Sequence, residues 1–420
     1  MPKTFSEKVF SQHAGRDVVT GEIVMLSPDV DLSHDNTAAI IGTFEKMGGG
    51  KVDNPDRHVI VLDHCVPAAG QKYADNHRKI RDFVKSQGIK NFYDVERGIC
   101  HQVLPEEGFA IPGSLILGSD SHTTTHGAFG AFAAGIGRSE LACIMATGKL
   151  WLRCPETMRI TVTGDFPKMV GAKDLALDII GRVGADGALY RAVEFDGATV
   201  DAMPVGDRMV LCNLAAEMGA KNGYVIPNST VIEWLMDRTD ESFEVVESDD
   251  GVEYVEDLTF DVSSLTPKVA KPHTVDNLAD ISEVEGTKIH QALLGTCTNG
   301  RLEDFHAAIE VLGDNRVHRD VRLLAFPASK EIYEAGLADG TWMKLSIAGA
   351  IIMNTGCGPC LGAHEGVLAT GEVCVSSANR NFKGRMGNPE SEIYLASPQT
   401  VMASAIAGEL ADPRKIGGVR

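Results

Sequence analysis

The sequence predicts an α/β protein whose mainly parallel sheets are flanked by helices. Two observations lead to this prediction. Short apolar runs typical of buried strands alternate with longer segments of helical periodicity along most of the chain, and such alternation is typical of parallel sheets connected by helices. The 420 residues are 44% hydrophobic and 23% charged, which provides enough apolar material for two or three domains.

The first third of the chain contains two strand–helix pairs. Residues 58–62 (His-Val-Ile-Val-Leu) predict a buried strand, and an amphipathic helix is predicted over residues 73–87. Residues 113–118 (Gly-Ser-Leu-Ile-Leu-Gly) predict a second strand, which is followed by a predicted helix over residues 138–151.

The middle third has a different pattern. Residues 158–164 alternate between apolar and polar side chains with a period of two, which predicts a half-buried strand, and a helix is predicted over residues 172–183. In the acidic residues 241–260, Val, Tyr and Phe alternate with charged side chains. This segment therefore predicts a solvated pair of strands.

A linker is predicted over residues 263–277, where Pro267 and Pro272 occur among few helix-forming residues. From Lys288 onward the pattern of strand followed by polar loop returns, and a C-terminal helix is predicted over residues 397–410. We expect three domains with a cleft between them, and their predicted ranges are residues 1–155, 156–286 and 287–420.

The net charge of −19 restricts the possible partners. A surface that binds nucleic acid or an anionic membrane is expected to be basic, so neither is a predicted partner. No apolar run reaches the roughly 18 residues of a membrane span, and the N-terminus lacks the apolar core of a secretory signal. The nine scattered cysteines do not suggest a disulfide framework. A reducing cytoplasm is therefore the predicted location.

Polar clusters recur just past the apolar runs. Ligands of open α/β sheets bind outside the carboxyl ends of the strands, so these clusters predict one cleft to which two segments of the chain contribute. The clusters are Asp63-His64, residues 119–122 (Ser-Asp-Ser-His), Cys297, Cys357 with Cys360, and residues 379–385 (Asn-Arg-Asn-Phe-Lys-Gly-Arg).

Three of the cysteines predict a catalytic metal centre. Cys297 follows one apolar run, and Cys357 and Cys360 follow another about sixty residues later. An iron–sulfur cluster with four thiolates is closed and mainly transfers electrons, whereas three thiolates would leave one iron open as a Lewis acid. Structural zinc or a redox pair is the alternative for Cys357 and Cys360, but the chain has no second Cys-x-x-Cys to complete a zinc site.

The remaining polar clusters could also be ordinary surface residues without a role in the site. An Asp-His dipeptide such as Asp63-His64 is usually a surface feature, because adjacent residues of a strand point to opposite faces, although this argument weakens at a strand end. Asp120 and His122 are two residues apart and can face the same side of the chain. Arg380 and Arg385 suit bidentate capture of carboxylates, with solvated charges as the alternative.

Seven motifs in this order resemble the aconitase family, and in particular the large subunits of its two-subunit hydro-lyases. The motifs occupy residues 33–37 (Ser-His-Asp-Asn-Thr), 63–64 (Asp-His), 98–102 (Gly-Ile-Cys-His-Gln), 118–123 (Gly-Ser-Asp-Ser-His-Thr), 295–301 (Gly-Thr-Cys-Thr-Asn-Gly-Arg), 356–360 (Gly-Cys-Gly-Pro-Cys) and 379–385. The resemblance covers the chain from about residue 5 to its C-terminus. It implies an aconitase-like three-domain fold and a 4Fe-4S cluster with one open iron, whose ligands would be Cys297, Cys357 and Cys360.

The resemblance also implies roles for the polar residues. His64, backed by Asp63, would protonate the departing hydroxide, and Glu194 would orient His122. His101 and Asp120 would complete the polar wall around the bound water and substrate. The implied substrate-binding residues are His34, Ser121, Arg380 and Arg385.

The family's catalytic base, a serine, lies in a last domain that this sequence lacks. We therefore expect a separate small subunit to supply that serine and the loop that selects the substrate. The expected substrate is a hydroxy di- or tricarboxylate. A 3-isopropylmalate dehydratase type of activity is the first expectation. A homoaconitase type follows, and dehydratases of 2,3-dimethylmalate or citramalate come third.

Two other classes remain as alternatives. Some relatives lose the cluster and bind RNA as iron sensors, which the net charge of −19 opposes. An electron-transfer protein would need a fourth thiolate on the cluster, and Cys65, Cys100 or Cys374 would have to provide it.

Overall fold

The structure is a computed structural model that describes residues 1–416. Its main feature is three sheets, of five, four and seven strands, each flanked by helices. The predicted α/β class with mainly parallel sheets is confirmed. Within the described residues, no helix is both long enough and apolar enough to cross a membrane.

The first sheet consists of five parallel strands in the order β4-β3-β2-β5-β6. A separate antiparallel ribbon pairs β1 with β7. The strands of this region are β1 (Ile23–Leu26), β2 (Val30–Ser33), β3 (His58–Val61), β4 (Asn91–Tyr93), β5 (Leu115–Gly118), β6 (Phe132–Gly135) and β7 (Leu150–Arg153). The helices are α1 (Phe5–Ala14), α2 (Thr37–Lys46), α3 (Gln71–Gln87), α4 (Cys100–Glu106) and α5 (Arg138–Thr147), with a 3-10 helix over Ser121–Phe129.

The second sheet has four parallel strands in the order β10-β9-β8-β11. Its strands are β8 (Thr157–Thr163), β9 (Ala192–Asp196), β10 (Asn222–Val225) and β11 (Glu256–Asp261). Its helices are α6 (Ala172–Val183), α7 (Ala198–Asp201), α8 (Val205–Ala215) and α9 (Ser229–Met236), and a 3-10 turn over Ala216–Met218 extends α8.

The third sheet has seven strands in the order β13-β12-β18-β17-β14-β15-β16, and its strands from β18 to β16 are parallel. The strands are β12 (Lys268–Ala270), β13 (Leu278–Asp280), β14 (Gln291–Gly295), β15 (Arg322–Phe326), β16 (Ile351–Ile352), β17 (Val373–Ser376) and β18 (Glu392–Leu395). The helices are α10 (Ile281–Val284), α11 (Thr296–Asn299), α12 (Leu302–Leu312), α13 (Lys330–Ala338), α14 (Thr341–Ala348), α15 (Pro398–Ala407) and α16 (Pro413–Ile416), with a 3-10 turn over Gly358–Leu361.

The strongly apolar elements form as the sequence predicts. All four residues of β3 and of β5 are buried, and α6 has the predicted bounds of residues 172–183. The helix predicted over residues 138–151 is too long, because Gly148 ends α5 in a left-handed conformation and the chain continues as β7. The C-terminal helix is also shorter than predicted, since Gly408 stops α15 in the same way.

Two predictions for the middle of the chain are wrong. The acidic residues 241–260 do not form a pair of strands; only Glu256–Asp261 is a strand, and it pairs in parallel with β8. The predicted linker contains β12, which pairs with β13 and β18. The third sheet therefore begins before residue 287, although the three-domain division itself stays a prediction.

Candidate active site

The predicted site residues lie where strands of two sheets end. His34 follows β2, Asp63 and His64 follow β3, and Asp120 follows β5. These three strands are neighbours in one parallel sheet, so their carboxyl ends lie along one edge. In the third sheet Cys297 follows β14, and the loops that carry the other cysteines and the arginines follow β16 and β17.

The backbone of the turn that carries Cys297 is strained. Gly295 has a φ of 134°, and Thr296 has a φ of 68°, which is an outlier for a β-branched residue. Strain of this kind is concentrated at functional sites. Two side-chain amides face the buried sulfur, because Nδ2 of Asn213 and Nδ2 of Asn379 each lie 3.4 Å from Sγ of Cys297.

Cys357 immediately precedes a short 3-10 turn, and Cys360 lies within that turn. The backbone N–H of Cys357 donates to the carbonyl of Asp63 at 3.0 Å, so the cysteine loop is attached directly to the loop after β3. Sγ of Cys360 lies 3.7 Å from Nη2 of Arg385 and 3.6 Å from Oδ1 of Asn379. Both cysteines are buried.

The three sulfurs lie too far apart to bind one metal ion together. Two sulfurs on one ion lie at most about 4.6 Å apart, because each metal–sulfur bond is about 2.3 Å long. Among the described residues, the three sulfurs do not form a set in which all members lie within 4.8 Å of one another. They nevertheless share one pocket: the charge of Cys360 acts on Cys297, and that of Cys297 acts on Cys357.

The pocket favours thiolates only when a cationic group is bound. Burial and the neighbouring Cys360 raise the pKa of Cys297 to about 12, so without a bound cation the Cys297 thiol stays protonated. A bound metal cluster would supply the positive charge that deprotonates such thiols. Lys173 lies buried close to Cys297 and Cys360, where burial lowers its pKa to about 7, and its Nζ donates to the carbonyls of Ser377 and Ala378 at 3.0 and 2.6 Å.

The buried Asp63 and the half-buried His64 form a dyad. Nδ1 of His64 lies 2.5 Å from Oδ1 of Asp63, and the other carboxylate oxygen accepts the backbone N–H of Cys100 at 2.7 Å. Burial alone would lower the pKa of His64, but the charge of Asp63 holds it well above its usual value. His64 is therefore an imidazolium that can donate a proton from Nε2.

Asp120 joins the histidines of the site. Its Oδ1 accepts from Nε2 of His101 at 2.9 Å and from the backbone N–H of His122 at 2.8 Å, while its Oδ2 lies 3.5 Å from Nε2 of His64. Burial would raise the pKa of Asp120, but the hydrogen bonds from the histidines hold it well below its usual range. The ring of His34 stacks on that of His64, with centroids 3.8 Å apart.

Glu194 does not contact His122, which corrects the sequence prediction. The Glu194 carboxylate lies on β9 and accepts hydrogen bonds from Ser248 Oγ at 2.8 Å and from Tyr254 OH at 2.9 Å. It therefore anchors the irregular acidic segment and does not contact His122. The partner of His122 is Glu217, whose Oε1 lies 2.7 Å from Nε2 of His122.

Glu217 also holds one of the predicted arginines. Nε of Arg380 donates to both Glu217 carboxylate oxygens, at 2.8 and 3.0 Å. Burial of Glu217 would raise its pKa, but the hydrogen bond from His122 and the charge of Arg380 lower it below the usual value. The Glu217 carboxylate thus connects His122 to the loop that carries Arg380 and Arg385.

The structure brings the remaining predicted residues to the same cleft. Ser121 Oγ lies 3.4 Å from Nδ1 of His122, and the buried Nε of Arg385 has no hydrogen-bond partner among the described residues. The sequence analysis missed Asn213, Glu217 and Lys173, which come from the second segment of the chain. Their only sequence signal is a polar residue within an otherwise apolar helix, for example residues 209–218 (Met-Val-Leu-Cys-Asn-Leu-Ala-Ala-Glu-Met).

Three mainly parallel sheets, with polar side chains clustered at the strand ends of the first and third, are typical of an α/β enzyme. The sequence model of the Aconitase family (aconitate hydratase) matches residues 7–287 and 282–408. The chain therefore belongs to the aconitase family, as the motifs predict.

Individual relatives are similar over nearly the whole chain. The 3-isopropylmalate dehydratase large subunit 1 of Methanopyrus kandleri is 52% identical over 415 residues, which cover 99% of each chain. The probable methanogen homoaconitase large subunit of Methanothermobacter thermautotrophicus is 50% identical over 419 residues, covering 98% of each. The crystal structure of Thermococcus kodakaraensis aconitase X (holo-form) has a TM-score of 0.50 and 12% identity over 90% of this chain and 89% of that one, which supports the fold alone.

Proposed function

We propose that the chain is the large, cluster-binding subunit of a hydro-lyase that removes water from a hydroxy di- or tricarboxylate and adds it back. The observation that carries this proposal is the position of the Asp63–His64 dyad directly beside the buried cysteine trio, linked by the Cys357–Asp63 hydrogen bond. Cys297, Cys357 and Cys360 would hold a 4Fe-4S cluster, and the site residues around them retain the roles that the sequence analysis gave them, except for Glu194.

The cluster, when bound, would supply an open iron that acts as a Lewis acid toward the substrate's hydroxyl and carboxylate oxygens. The side chains of the protein would donate the proton and bind the water and the substrate carboxylates. His64 would donate a proton to the departing hydroxide from Nε2, with Asp63 holding Nδ1. Asp120, His101 and His122 would hold the released water, and Arg380 and Arg385 would bind the substrate carboxylates.

A small subunit would supply the base that removes the proton from carbon, together with the loop that selects the substrate. The relatives named above are described as large subunits, which supports a partner of this kind. We place the two-subunit enzyme in the cytoplasm, because all nine cysteines are free thiols, as expected in a reducing compartment.

The favoured substrate is 3-isopropylmalate, with homoaconitate as the second candidate and 2,3-dimethylmalate or citramalate as the third. Identities of 52% and 50% to relatives of the first two types support both. An electron-transfer role is less favoured, because one of its candidate ligands, Cys374, lies on β17 beside Gln291, at the opposite end of the strands from the cluster loops.

The test is anaerobic reconstitution of the cluster in the purified chain, with and without the candidate small subunit, followed by assay against the four substrates. We expect turnover of one of them only when both subunits are present. Strong steady-state activity of this chain alone would contradict the proposal, and so would the absence of turnover from a fully loaded pair.

Glu217 and Glu194 provide a matched pair of variants. We expect Glu217→Gln to lower kcat about 100-fold, because it removes the charge that orients both His122 and Arg380. Glu194→Gln is expected to leave kcat within about threefold, since the Glu194 carboxylate contacts only Ser248 and Tyr254 in the acidic segment. Steady-state kinetics of the reconstituted pair measure both, and a larger loss from Glu194→Gln would restore the original assignment.

A further inference from the structure

The Asp35 carboxylate binds the backbone of the loop that carries the catalytic dyad. Its Oδ2 accepts the N–H groups of Asp63 and His64 at 2.9 and 2.8 Å, and its Oδ1 accepts the N–H of Cys65 at 3.2 Å. Three successive peptide groups thus point at one side chain. Because these N–H groups follow the end of β3, no neighbouring strand is available to accept them.

A fourth donor comes from helix α3. Nε2 of the buried His77 lies 2.8 Å from Oδ1 of Asp35. Burial of Asp35 would raise its pKa, but the hydrogen bond from His77 and the charge of His64 push the pKa far below its usual range. Asp35 is therefore ionised, and its contacts are charge-assisted hydrogen bonds, which are shorter and stronger than neutral ones.

The loop that Asp35 holds is also attached at two other points. The Asp63 carboxylate accepts the N–H of Cys100, and the Asp63 carbonyl accepts the N–H of Cys357. A change in the path of residues 63–65 would therefore move His64 relative to the cysteine loop. The hydrogen bonds of Asp35 go to the backbone of this loop and to α3, so they act on the site through the loop, while the charge of Asp35 also acts on His64.

Asp35 and the dyad, together with His34, resemble a metal site, but the contacts of Asp35 argue against one. Ligand atoms of His34, Asp35, Asp63 and His64 all lie within 4.8 Å of one another. A carboxylate has about four lone-pair positions, and four N–H donors already occupy those of Asp35. An ion would have to displace these donors.

We propose that Asp35 is a positioning residue that fixes the orientation of the Asp63–His64 dyad in the cleft. The catalytic consequence of this proposal depends on the proposed hydro-lyase function, whereas its structural part does not. A variant that loses the Asp35 charge should therefore loosen residues 63–65 in the chain without a cluster, and should lower kcat more than it raises KM in the loaded enzyme.

The first measurement is hydrogen–deuterium exchange, followed by mass spectrometry, on the cluster-free full chain. Asp35→Asn keeps the side-chain size but turns one acceptor into a donor that faces N–H groups. We expect the amide exchange rate at residues 63–65 to rise about tenfold or more, because the loss of one or two charge-assisted hydrogen bonds makes opening of the loop easier by about this factor. Asp31→Asn is the control, because Asp31 is more deeply buried than Asp35 and pairs with His58, with Nδ1 of His58 at 2.5 Å, away from this loop.

The second measurement is steady-state kinetics of the reconstituted pair, with iron content as a check. We expect Asp35→Asn to lower kcat about 10- to 100-fold and to change KM less than about threefold, with iron content unchanged. Equal losses from Asp31→Asn, or unchanged exchange at residues 63–65, would overturn the proposal. If the wild-type pair turns over no substrate while exchange still responds to Asp35→Asn, the proposed function fails and the positioning role stands.

His77 provides a milder series in case Asp35→Asn does not fold. His77→Leu removes one of the four donors, whereas His77→Gln keeps an N–H that can reach Oδ1 of Asp35. We expect exchange at residues 63–65 to increase for His77→Leu and to return toward the wild-type rate for His77→Gln. Equal exchange in the two variants would contradict the proposal.

Discussion

Cys297→Ser is expected to abolish stable cluster binding and to reduce turnover at least about 1,000-fold. The cysteine is one of three predicted ligands, and its sulfur faces the amides of Asn213 and Asn379. Serine is a harder ligand that ionises much less readily, so it would replace a thiolate poorly on iron. The same result is expected for Cys357→Ser and Cys360→Ser. Iron and acid-labile sulfide per chain after anaerobic reconstitution, together with kcat, measure the effect.

Cys374→Ala is the matched control for the cysteine variants. Cys374 is also fully buried in the third sheet, but its thiol lies against the Val375 carbonyl of its own strand. We expect full iron content and turnover within about threefold of wild type. Loss of the cluster from Cys374→Ala, or its retention in Cys297→Ser, would contradict the assignment of the three ligands.

His64→Gln is expected to have the second-largest effect, a decrease in kcat of about 100- to 10,000-fold, because a positioned proton donor contributes a factor of this size. The change leaves Asp63 bonded to Cys100 and to Cys357 through the backbone, so iron content should remain at the wild-type level. Measuring kcat and iron content on the same preparation separates loss of the acid from loss of the cluster.

His58→Gln is the matched control for His64→Gln. His58 lies on β3, and its Nδ1 is 2.5 Å from Oδ1 of Asp31, the same geometry as in the His64–Asp63 pair. Any general cost of removing a buried His–Asp pair should therefore appear in both variants as reduced stability. If kcat falls equally in both, His64 has no special role as an acid.

The sequence predicted best those features that depend on one strand or one helix alone. Strands β3 and β5 and helix α6 have apolar patterns that suit only one kind of element. The clusters after these strands converge because the carboxyl ends of parallel strands share an edge, so Asp63, His64 and Asp120 meet as expected.

Contacts between residues that are distant in the chain could not be predicted from local sequence patterns. Glu194 is assigned from the family resemblance alone, and its position in the middle of β9 directs it toward Ser248 and Tyr254. Glu217 lies in a 3-10 turn after α8 and reaches His122 only through packing of the second segment on the first. The short strand β12 similarly depends on pairing with β13 and β18, because its own three residues carry no clear strand signal.

The central claim is that three protein sulfurs hold a cluster whose fourth iron is open to substrate. Mössbauer spectroscopy of the anaerobically reconstituted chain, enriched in iron-57 and paired with the small subunit, tests this claim most directly. We predict that substrate changes the spectrum of one iron in four and leaves the other three unchanged. A spectrum in which substrate changes no iron, or in which all four irons have equivalent sulfur ligation, would contradict the claim.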